Sequence, residues 1–269
     1  MKKFGFITNK YIVSVLILLC LFLADIILHK GMSRVIIPSS FSDKTKPINL
    51  PLCDQPLLQK DKHWIKAIDN IELMQKLPAN TAGIECDVYF DMQKDHFEVY
   101  HDSTAPSTLN LDSLLSVYSS KKLSANVWLD FKNLTGENST QSLNEITRLK
   151  NKYRLFNQII VESHNLQYLK VFCDSGYFTS YYVPSFNPYR ATENEIIQFT
   201  DLVRNNLTRY PASALSGYYF QYPILKKFFP NYPILTWADN TSISIVSYLF
   251  KRQLENDESI KVILYPFKD

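Results

Sequence analysis

Two pairs of polar side chains stand in otherwise apolar, strand-like segments, and their spacing favours a site for a cation. Glu85 and Asp87 lie two residues apart in GIECDVYFD, so a strand would direct both carboxylates to one face. Asp130 and Lys132 repeat this spacing in VWLDFK. Isolated buried carboxylates are costly, and those that persist usually bind a cation or a basic group. We therefore predict that a divalent metal, Mg²⁺ or Ca²⁺, is bound by three carboxylate oxygen ligands, from Glu85, Asp87 and Asp130.

His101 and Lys132 would supply the other charged groups that phosphoryl chemistry needs. His101 follows the short strand-like segment FEVY, and an imidazole suits proton transfer near neutral pH, so we predict that it is the general acid or base. Lys132 would place positive charge beside the phosphoryl group in the transition state. The structural alternatives are a salt-bridge lattice of the carboxylates with Lys132 and Lys66, and a surface turn at His101.

The elements that would position these groups alternate regularly from His63 onward. The predicted strands are His63–Ile68, Gly83–Phe90, Asn126–Phe131, Gln158–Glu162, Thr179–Val183, Ala214–Tyr218, Ile234–Trp237 and Val262–Tyr265. The predicted helices are Ile71–Lys76, Leu111–Tyr118, Leu143–Tyr153, Leu166–Asp174, Glu193–Asn206, Tyr222–Phe229 and Ile243–Asn256, with N-caps at Asn110, Ser142, Asn165 and Thr192.

Strands and helices in this alternation predict a parallel α/β protein. Eight strands is also the closure number of a (β/α)8 TIM barrel, whose active sites lie at the C-terminal ends of the strands. The polar groups of the proposed site stand at such strand ends. A doubly wound open sheet is the alternative that counting leaves open.

An apolar run precedes the predicted barrel. Tyr11–Leu28 is interrupted only by Asp25 and is close to the length that crosses a bilayer. We interpret residues 1–30 as a cytoplasmic tail and transmembrane signal anchor, 31–62 as a tether, and 63–269 as the barrel, on the extracytoplasmic side. A cleaved signal peptide and a buried soluble helix are the alternatives.

Composition narrows the function classes. The chain has 269 residues and a formal net charge of only +3, which predicts no nucleic-acid face. Its six glycines form neither a dinucleotide-binding nor a P-loop signature. Of the four cysteines, Cys86 should point away from the site, and Cys53 and Cys173 could pair in an oxidising compartment, which the sequence leaves open.

The order GIECDVYFD, FEVYHD and WLDFK resembles the glycerophosphodiester phosphodiesterase-like (PLC-like phosphodiesterase) superfamily, and within it the menorin-type branch and its bacterial relatives. The superfamily signature is an E-x-D-V strand, a following V-x-H-D and a later E-L-K or D-F-K strand. The resemblance spans roughly residues 63–267 and implies a TIM barrel. It also implies that Glu85, Asp87 and Asp130 bind a divalent metal, that His101 is one of two catalytic histidines, and that Lys132 contacts phosphate.

One departure from this pattern concerns the second histidine. Relatives carry a histidine at the end of the first strand, where this chain has Lys66. His63 should point to the opposite face of that strand, so Lys66 is the third catalytic candidate beside His101 and Lys132. A lysine can contact phosphate, but it is normally protonated near neutrality and would need a strongly lowered pKa to act as a base. Either His101 works with a metal-bound hydroxide, or the chain has lost hydrolysis and retained binding. His164, after the fourth strand, is an alternative partner for His101.

Residues at three further strand ends predict the substrate contacts. Glu162, Tyr181 and Trp237 are the candidates, within an aromatic cluster that also holds Tyr182, Tyr218 and Tyr219 and that core packing would equally explain. We expect a membrane-anchored, metal-dependent phosphodiesterase for a small-molecule or lipid phosphodiester. The alternatives are an inactive barrel that binds ligands or partners, and a carbohydrate-active barrel, which the lysine–histidine set disfavours.

Overall fold

The computed structural model describes residues 4–37, 41, 49–58, 61–238 and 244–267. Eight parallel strands form a closed barrel: β1 His63–Lys66, β2 Gly83–Asp91, β4 Asn126–Phe131, β5 Ile159–Ser163, β6 Phe178–Tyr182, β7 Ala214–Tyr218, β8 Ile234–Trp237 and β9 Ile260–Pro266. Strand β1 pairs with both β2 and β9, which closes the ring. The predicted TIM barrel is therefore confirmed, and the open sheet is wrong. A short strand, β3 (His96–Val99), pairs antiparallel with β2.

Helices follow the strands as predicted, and two further helices precede the barrel. They are α1 Phe4–Leu28, α2 Lys30–Ile36, α3 Ile71–Lys76, α4 Leu111–Ser120, α5 Ser139–Tyr153, α6 Leu166–Asp174, α7 Glu193–Arg209, α8 Tyr222–Phe228 and α9 Ile245–Asn256. The predicted start of the last helix, Ile243, lies outside the described residues.

Two of the four predicted N-caps are confirmed. The Asn110 side chain accepts a hydrogen bond from the Ser113 amide, and Thr192 forms a reciprocal capping box with Glu195. The prediction at Ser142 is wrong because α5 begins one turn earlier, and Ser142 lies buried inside it. Asn165 precedes α6, but its side chain makes no capping hydrogen bond. The side-chain amide of Asn165 donates to the Leu134 carbonyl oxygen instead.

The inside of the barrel is filled by side chains from every second strand position. Its apolar layer consists of Trp64, Ala82, Trp128, Ile160, Phe178, Ala214, Leu235, Val262 and Leu264. A Cβ atom at Gly83 would lie 2.1 Å from Cδ2 of Trp64, so only glycine fits beneath that indole ring. The layer leaves the polar groups nearer the C-terminal strand ends as the walls of an open cavity.

A second, larger core lies between the strands and the helices. The opposite faces of the strands contribute Ile84, Cys86 and Val88 to it, and the helices contribute residues such as Leu114 and Phe172. Cys86 is fully buried there, so it points away from the cavity, as the alternation of β2 predicted.

The N-terminal residues reach both ends of the barrel. Lys10–Leu28 of α1 is long and apolar enough to cross a membrane, with mean hydropathy 2.8 and no buried residues. Helix α2 packs on α9 and buries Met32 and Val35. Residues 49–58 cross the opposite end of the barrel, where Cys53 forms a disulfide with Cys173 of α6. The described parts of the segment that we interpreted as a tether thus contact the barrel.

Candidate active site

A cavity of about 260 Å³ opens at the C-terminal ends of the barrel strands. It is lined by every residue predicted for the site except Tyr181, and by Tyr182 and Tyr218: Lys66, Glu85, Asp87, His101, Asp130, Lys132, Glu162, Tyr182, Tyr218 and Trp237. Active sites of TIM barrels lie at this face. With Leu264 of β9 added, the lining residues come from all eight barrel strands and from the loop after β3.

The three predicted metal ligands converge on the floor of this cavity. Strands β2 and β4 are adjacent, and their register places Asp87 beside Asp130. One oxygen atom each from Glu85, Asp87 and Asp130 can be chosen so that all three lie within 4.8 Å of one another. Burial raises the pKa of Glu85 well above its usual range, and the charge of Asp87 raises it further. Three desolvated carboxylates of like charge fit a divalent cation.

Lys132 lies against the same carboxylates. Its Nζ is 2.6 Å from Oδ1 of Asp87, and it also donates to Oδ2 of Asp130. Burial disfavours the ammonium charge, but Asp130 and Asp87 outweigh this effect and raise the pKa of Lys132 above its ordinary value. The side chain therefore stays charged and neutralises part of the acidic group. Of the salt-bridge lattice that we considered as the structural alternative, the pairs of Lys132 with Asp87 and Asp130 are present.

His101 and Lys66 face the cavity from its rim. His101 follows Tyr100, whose ring stacks on that of Tyr89 at 4.2 Å and whose amide donates to the Asp87 carbonyl, so the loop after β3 is held beside the acidic group. Lys66 is the last residue of β1 and points inward. His63 lies outside the barrel, with Nε2 3.1 Å from Glu255, as strand alternation predicted.

His164 lies just outside the cavity. Its ring stacks on Tyr182 with centroids 3.8 Å apart, and its Nδ1 is 3.0 Å from the Tyr182 carbonyl oxygen. Burial lowers the pKa of His164, which favours the neutral ring. Tyr182, Trp237 and Tyr218 form one wall of the cavity, which we call the aromatic wall. His164 packs behind Tyr182 and is not among the residues that line the cavity.

The structure places one predicted substrate contact, Tyr181, outside the cavity. Tyr181 faces the helices, and its hydroxyl accepts a hydrogen bond from Asn206. The physical reason is the alternation of β6: Phe178 points inward, so Tyr182 does too, and Tyr181 cannot. Tyr182 and Tyr218 instead flank Trp237, at ring distances of 5.1 and 4.9 Å.

Glu162 lies below this wall, on the inner face of β5. It is 2% exposed, and its Oε2 is buried without a hydrogen-bond partner among the described residues. Burial raises the pKa of Glu162 well above its usual range, and the nearby charge of Asp130 acts in the same direction. The group is thus suited to donate or accept a hydrogen bond within the cavity.

Asp69 is a residue that sequence reasoning missed. Its Oδ1 accepts a hydrogen bond from the Asp87 amide, at 2.9 Å. Burial and the charge of Asp87 raise the pKa of Asp69 to about 7. Ala67, in the same loop, has φ of 60° and donates its amide to Glu85 at 2.7 Å. The available signal was an acidic residue three positions beyond Lys66, just after the end of a strand.

Solved structures share this barrel. One, assigned as a glycerophosphoryl diester phosphodiesterase, is from Silicibacter pomeroyi DSS-3; it aligns with a TM-score of 0.51 and 12% identity over 78% of this chain and 91% of its own. Another, assigned as a glycerophosphodiester phosphodiesterase, is from Galdieria sulphuraria. It aligns with a TM-score of 0.50 and 13% sequence identity, over 78% of this chain and 94% of its own. No protein-family model and no curated protein matches the sequence. The chain therefore shares the TIM-barrel fold of these two solved structures.

Proposed function

We propose that this protein is a membrane-anchored, metal-dependent phosphodiesterase that hydrolyses a glycerophosphodiester or a lipid-like phosphodiester. The observation that carries the proposal is the convergence of Glu85, Asp87 and Asp130 beside Lys132 and His101, at the catalytic end of a barrel with this fold. The likeness to the menorin-type branch stays a prediction.

Each group in the cavity has a role in this proposal. Glu85, Asp87 and Asp130 would hold a divalent cation, Mg²⁺ or Ca²⁺, which when bound polarises a phosphoryl oxygen and favours ionisation of an attacking hydroxyl. The Lys132 ammonium would stabilise the negative charge of the transition state. His101, at the rim, would transfer a proton between the departing or attacking oxygen and solvent.

The remaining cavity residues would hold the substrate. Lys66 offers positive charge where relatives carry a histidine, so we assign it to phosphate binding. Glu162 and Trp237, with Tyr182 in place of Tyr181, would contact the alcohol portion of the diester. The cavity combines aromatic rings on one wall with a cluster of charged groups on its floor and rim, so it offers both an apolar surface and the placed polar groups that orient a small ligand.

The compartment is part of the same proposal. Helix α1 would anchor the chain, with the barrel on the extracytoplasmic side of the membrane. The Cys53–Cys173 disulfide supports this orientation, because disulfides persist in oxidising compartments and are rare in the cytosol.

A second candidate function is a barrel that binds phosphodiesters without hydrolysing them. The specific observation in its favour is Lys66, which leaves His101 without the histidine that relatives carry opposite it. A lysine that stays protonated can bind phosphate but cannot accept a proton from the nucleophile.

Two substitutions and a matched control test the proposal. Asp87→Asn should abolish phosphodiesterase turnover and the rise in melting temperature on adding Mg²⁺ or Ca²⁺, while His101→Ala should abolish turnover and keep that rise. Asp91→Asn, on the same strand but paired with Lys94 outside the cavity, should change neither. Full turnover in both cavity variants would refute the site, and metal-induced stabilisation without turnover in the wild type would favour the binding function.

A further inference from the structure

The end of helix α1 docks on the N-terminus of α9. Oδ2 of Asp25 accepts a hydrogen bond from the Val246 amide at 3.0 Å, and Oδ1 of Asp25 lies 2.8 Å from Nδ1 of His29. Asp25 thereby satisfies a backbone donor that the first turn of α9 leaves without an intrahelical partner. The contact fixes the apolar helix to one defined place on the barrel.

That place is the rim of the catalytic face. Helix α9 follows β8, so its N-terminus lies at the same end of the barrel as the cavity. Helix α2, which continues from α1, brings Gly31 against the ring of Tyr219, the residue directly after the cavity residue Tyr218. The anchor therefore meets the barrel beside the mouth of the cavity and not at its opposite end.

The length of α1 sets the depth of this contact. The 19 residues of Lys10–Leu28 span about 28 Å at 1.5 Å per residue, close to the ~30 Å of a bilayer's hydrocarbon core. Asp25 lies three residues, or about 5 Å, inside the end of that span. A bilayer that covers Lys10–Leu28 must then also reach the first turns of α9.

Those turns expose apolar side chains. Ile245, Tyr248 and Leu249 are 57%, 61% and 40% exposed, and their i, i+3, i+4 spacing places them on one face of α9. We call these three residues the rim patch. The next exposed position on that face is Arg252, one turn farther from α1. Elsewhere on the described barrel, exposed large apolar residues such as Met92, Phe156 and Leu202 are far apart in the sequence, the first two in loops and the third on α7.

We propose that the rim patch is embedded in the bilayer that α1 crosses, so that the cavity opens at the membrane surface and takes its phosphodiester from a lipid headgroup. The inference rests on the membrane anchoring in the proposed function and names the source of the substrate. An apolar helical face accompanied by basic residues is typical of segments that lie in the membrane interface, where the apolar side chains enter the headgroup–acyl boundary by about 5–10 Å and the cations meet anionic lipids. Lys30 adds a second exposed cation at this level.

Fluorescence quenching in nanodiscs tests the depth of the rim patch. We would reconstitute the full chain in nanodiscs of phosphatidylcholine and phosphatidylglycerol whose acyl chains carry bromine near the headgroup, and compare Tyr248→Trp with Phe156→Trp. Phe156 is a matched control, because it is 53% exposed but precedes β5, at the opposite end of the barrel. The emission of the three native tryptophans is measured with the wild-type chain and subtracted from that of each variant.

We expect the tryptophan at 248 to lose roughly half of its added emission in brominated discs, because its ring would lie within about 5–10 Å of the headgroup boundary. The tryptophan at 156 should lose none. Equal emission at 248 in brominated and unbrominated discs, with the chain incorporated, would overturn the inference and leave the anchor and the phosphodiesterase intact. A rim patch covered by a second copy would give this result together with dimers in the discs.

A kinetic measurement separates the inference from the proposed chemistry. Tyr248→Ser combined with Leu249→Ser should slow turnover of a phospholipid in vesicles and leave turnover of a water-soluble glycerophosphodiester unchanged. Equal slowing of both would contradict the inference. If the wild type turned over neither substrate, the proposed phosphodiesterase activity would be refuted. If α1 did not enter the discs, both the membrane anchor and this inference would be refuted.

Discussion

Nζ of Lys132 lies 2.6 Å from Oδ1 of Asp87, inside the group of carboxylates that we assign to metal binding. Asp87 lies on β2, Lys132 directly follows the adjacent strand β4, and Lys132 also contacts Asp130. An ammonium and a divalent cation attract the same oxygen atoms. Lys132 therefore stabilises the metal-free barrel and opposes metal binding by its charge, while it serves phosphate binding in the proposed reaction.

Replacing Lys132 by methionine should separate these effects. Turnover should fall about 10²–10³-fold, because a preorganised charge at the transition state is lost. The rise in melting temperature on adding Mg²⁺ should become larger than in the wild type, because the competing charge is gone. Differential scanning fluorimetry and a phosphodiesterase assay measure both. Lys94→Met, which removes a surface lysine paired with Asp91 and Glu98, is the control; an unchanged metal response in Lys132→Met would contradict this reading.

Lys66→His should increase turnover. A second imidazole facing the cavity would supply the base that this chain lacks, and general acid–base catalysis contributes about 10²–10⁴-fold, so we expect a gain of at least about tenfold near neutral pH. Lys66→Met separates this gain from the loss of a positive charge. If Lys66→His were no faster than Lys66→Met, the missing histidine would not be what limits the reaction.

The Cys53–Cys173 disulfide should contribute strongly to stability. It joins residues 120 positions apart and ties the segment before β1 to α6. The double variant Cys53→Ser, Cys173→Ser should lower the free energy of unfolding by about 2–5 kcal/mol. Urea unfolding in detergent, followed by tryptophan fluorescence, measures the difference. Cys20→Ser, at an exposed position of α1, should leave it unchanged; equal stabilities of all three chains would count against the disulfide.

Asp257 should make part of the stability dependent on acid. Burial alone would raise its pKa, but hydrogen bonds from Lys226, Ser259 and Tyr222 outweigh burial and lower the pKa of Asp257 to about 2. An unfolded aspartate titrates at about 4, so this stabilisation is complete above that pH and is lost as the pH falls from about 4 to about 2. The wild type should lose about 2 kcal/mol more than Asp257→Asn over that range in urea titrations. Parallel losses would exclude the contribution.

The barrel could be predicted from the sequence because its signals are local. Each predicted strand lies within two residues of an observed one at either end, since β-branched runs and turn residues mark the limits of strands that are buried on both faces. The acidic group could be predicted for the same reason. Glu85 with Asp87, and Asp130 with Lys132, share a face by strand alternation alone.

The errors concern features that tertiary packing decides. Whether Tyr181 or Tyr182 lines the cavity depends on which residue of β6 first points inward, and that residue is Phe178, one position before the predicted start of the strand. Helix α2 is too short to show a period and is defined by burial of its apolar residues against α9. Asp69 lies within hydrogen-bonding distance of the Asp87 amide because the loop after β1 turns at Ala67, whose backbone is left-handed, and the sequence does not show this turn.

Phosphorus NMR tests the central claim most directly. A water-soluble glycerophosphodiester and a lysophospholipid are each incubated with the wild-type chain and Mg²⁺ or Ca²⁺, and in parallel with EDTA or with Asp87→Asn. A metal-dependent phosphodiesterase adds water across the P–O bond, so at least one diester resonance should be replaced by a phosphomonoester resonance only in the wild type with metal. Diester resonances that remain in the wild type with Mg²⁺ and with Ca²⁺, without any monoester resonance, would contradict the account.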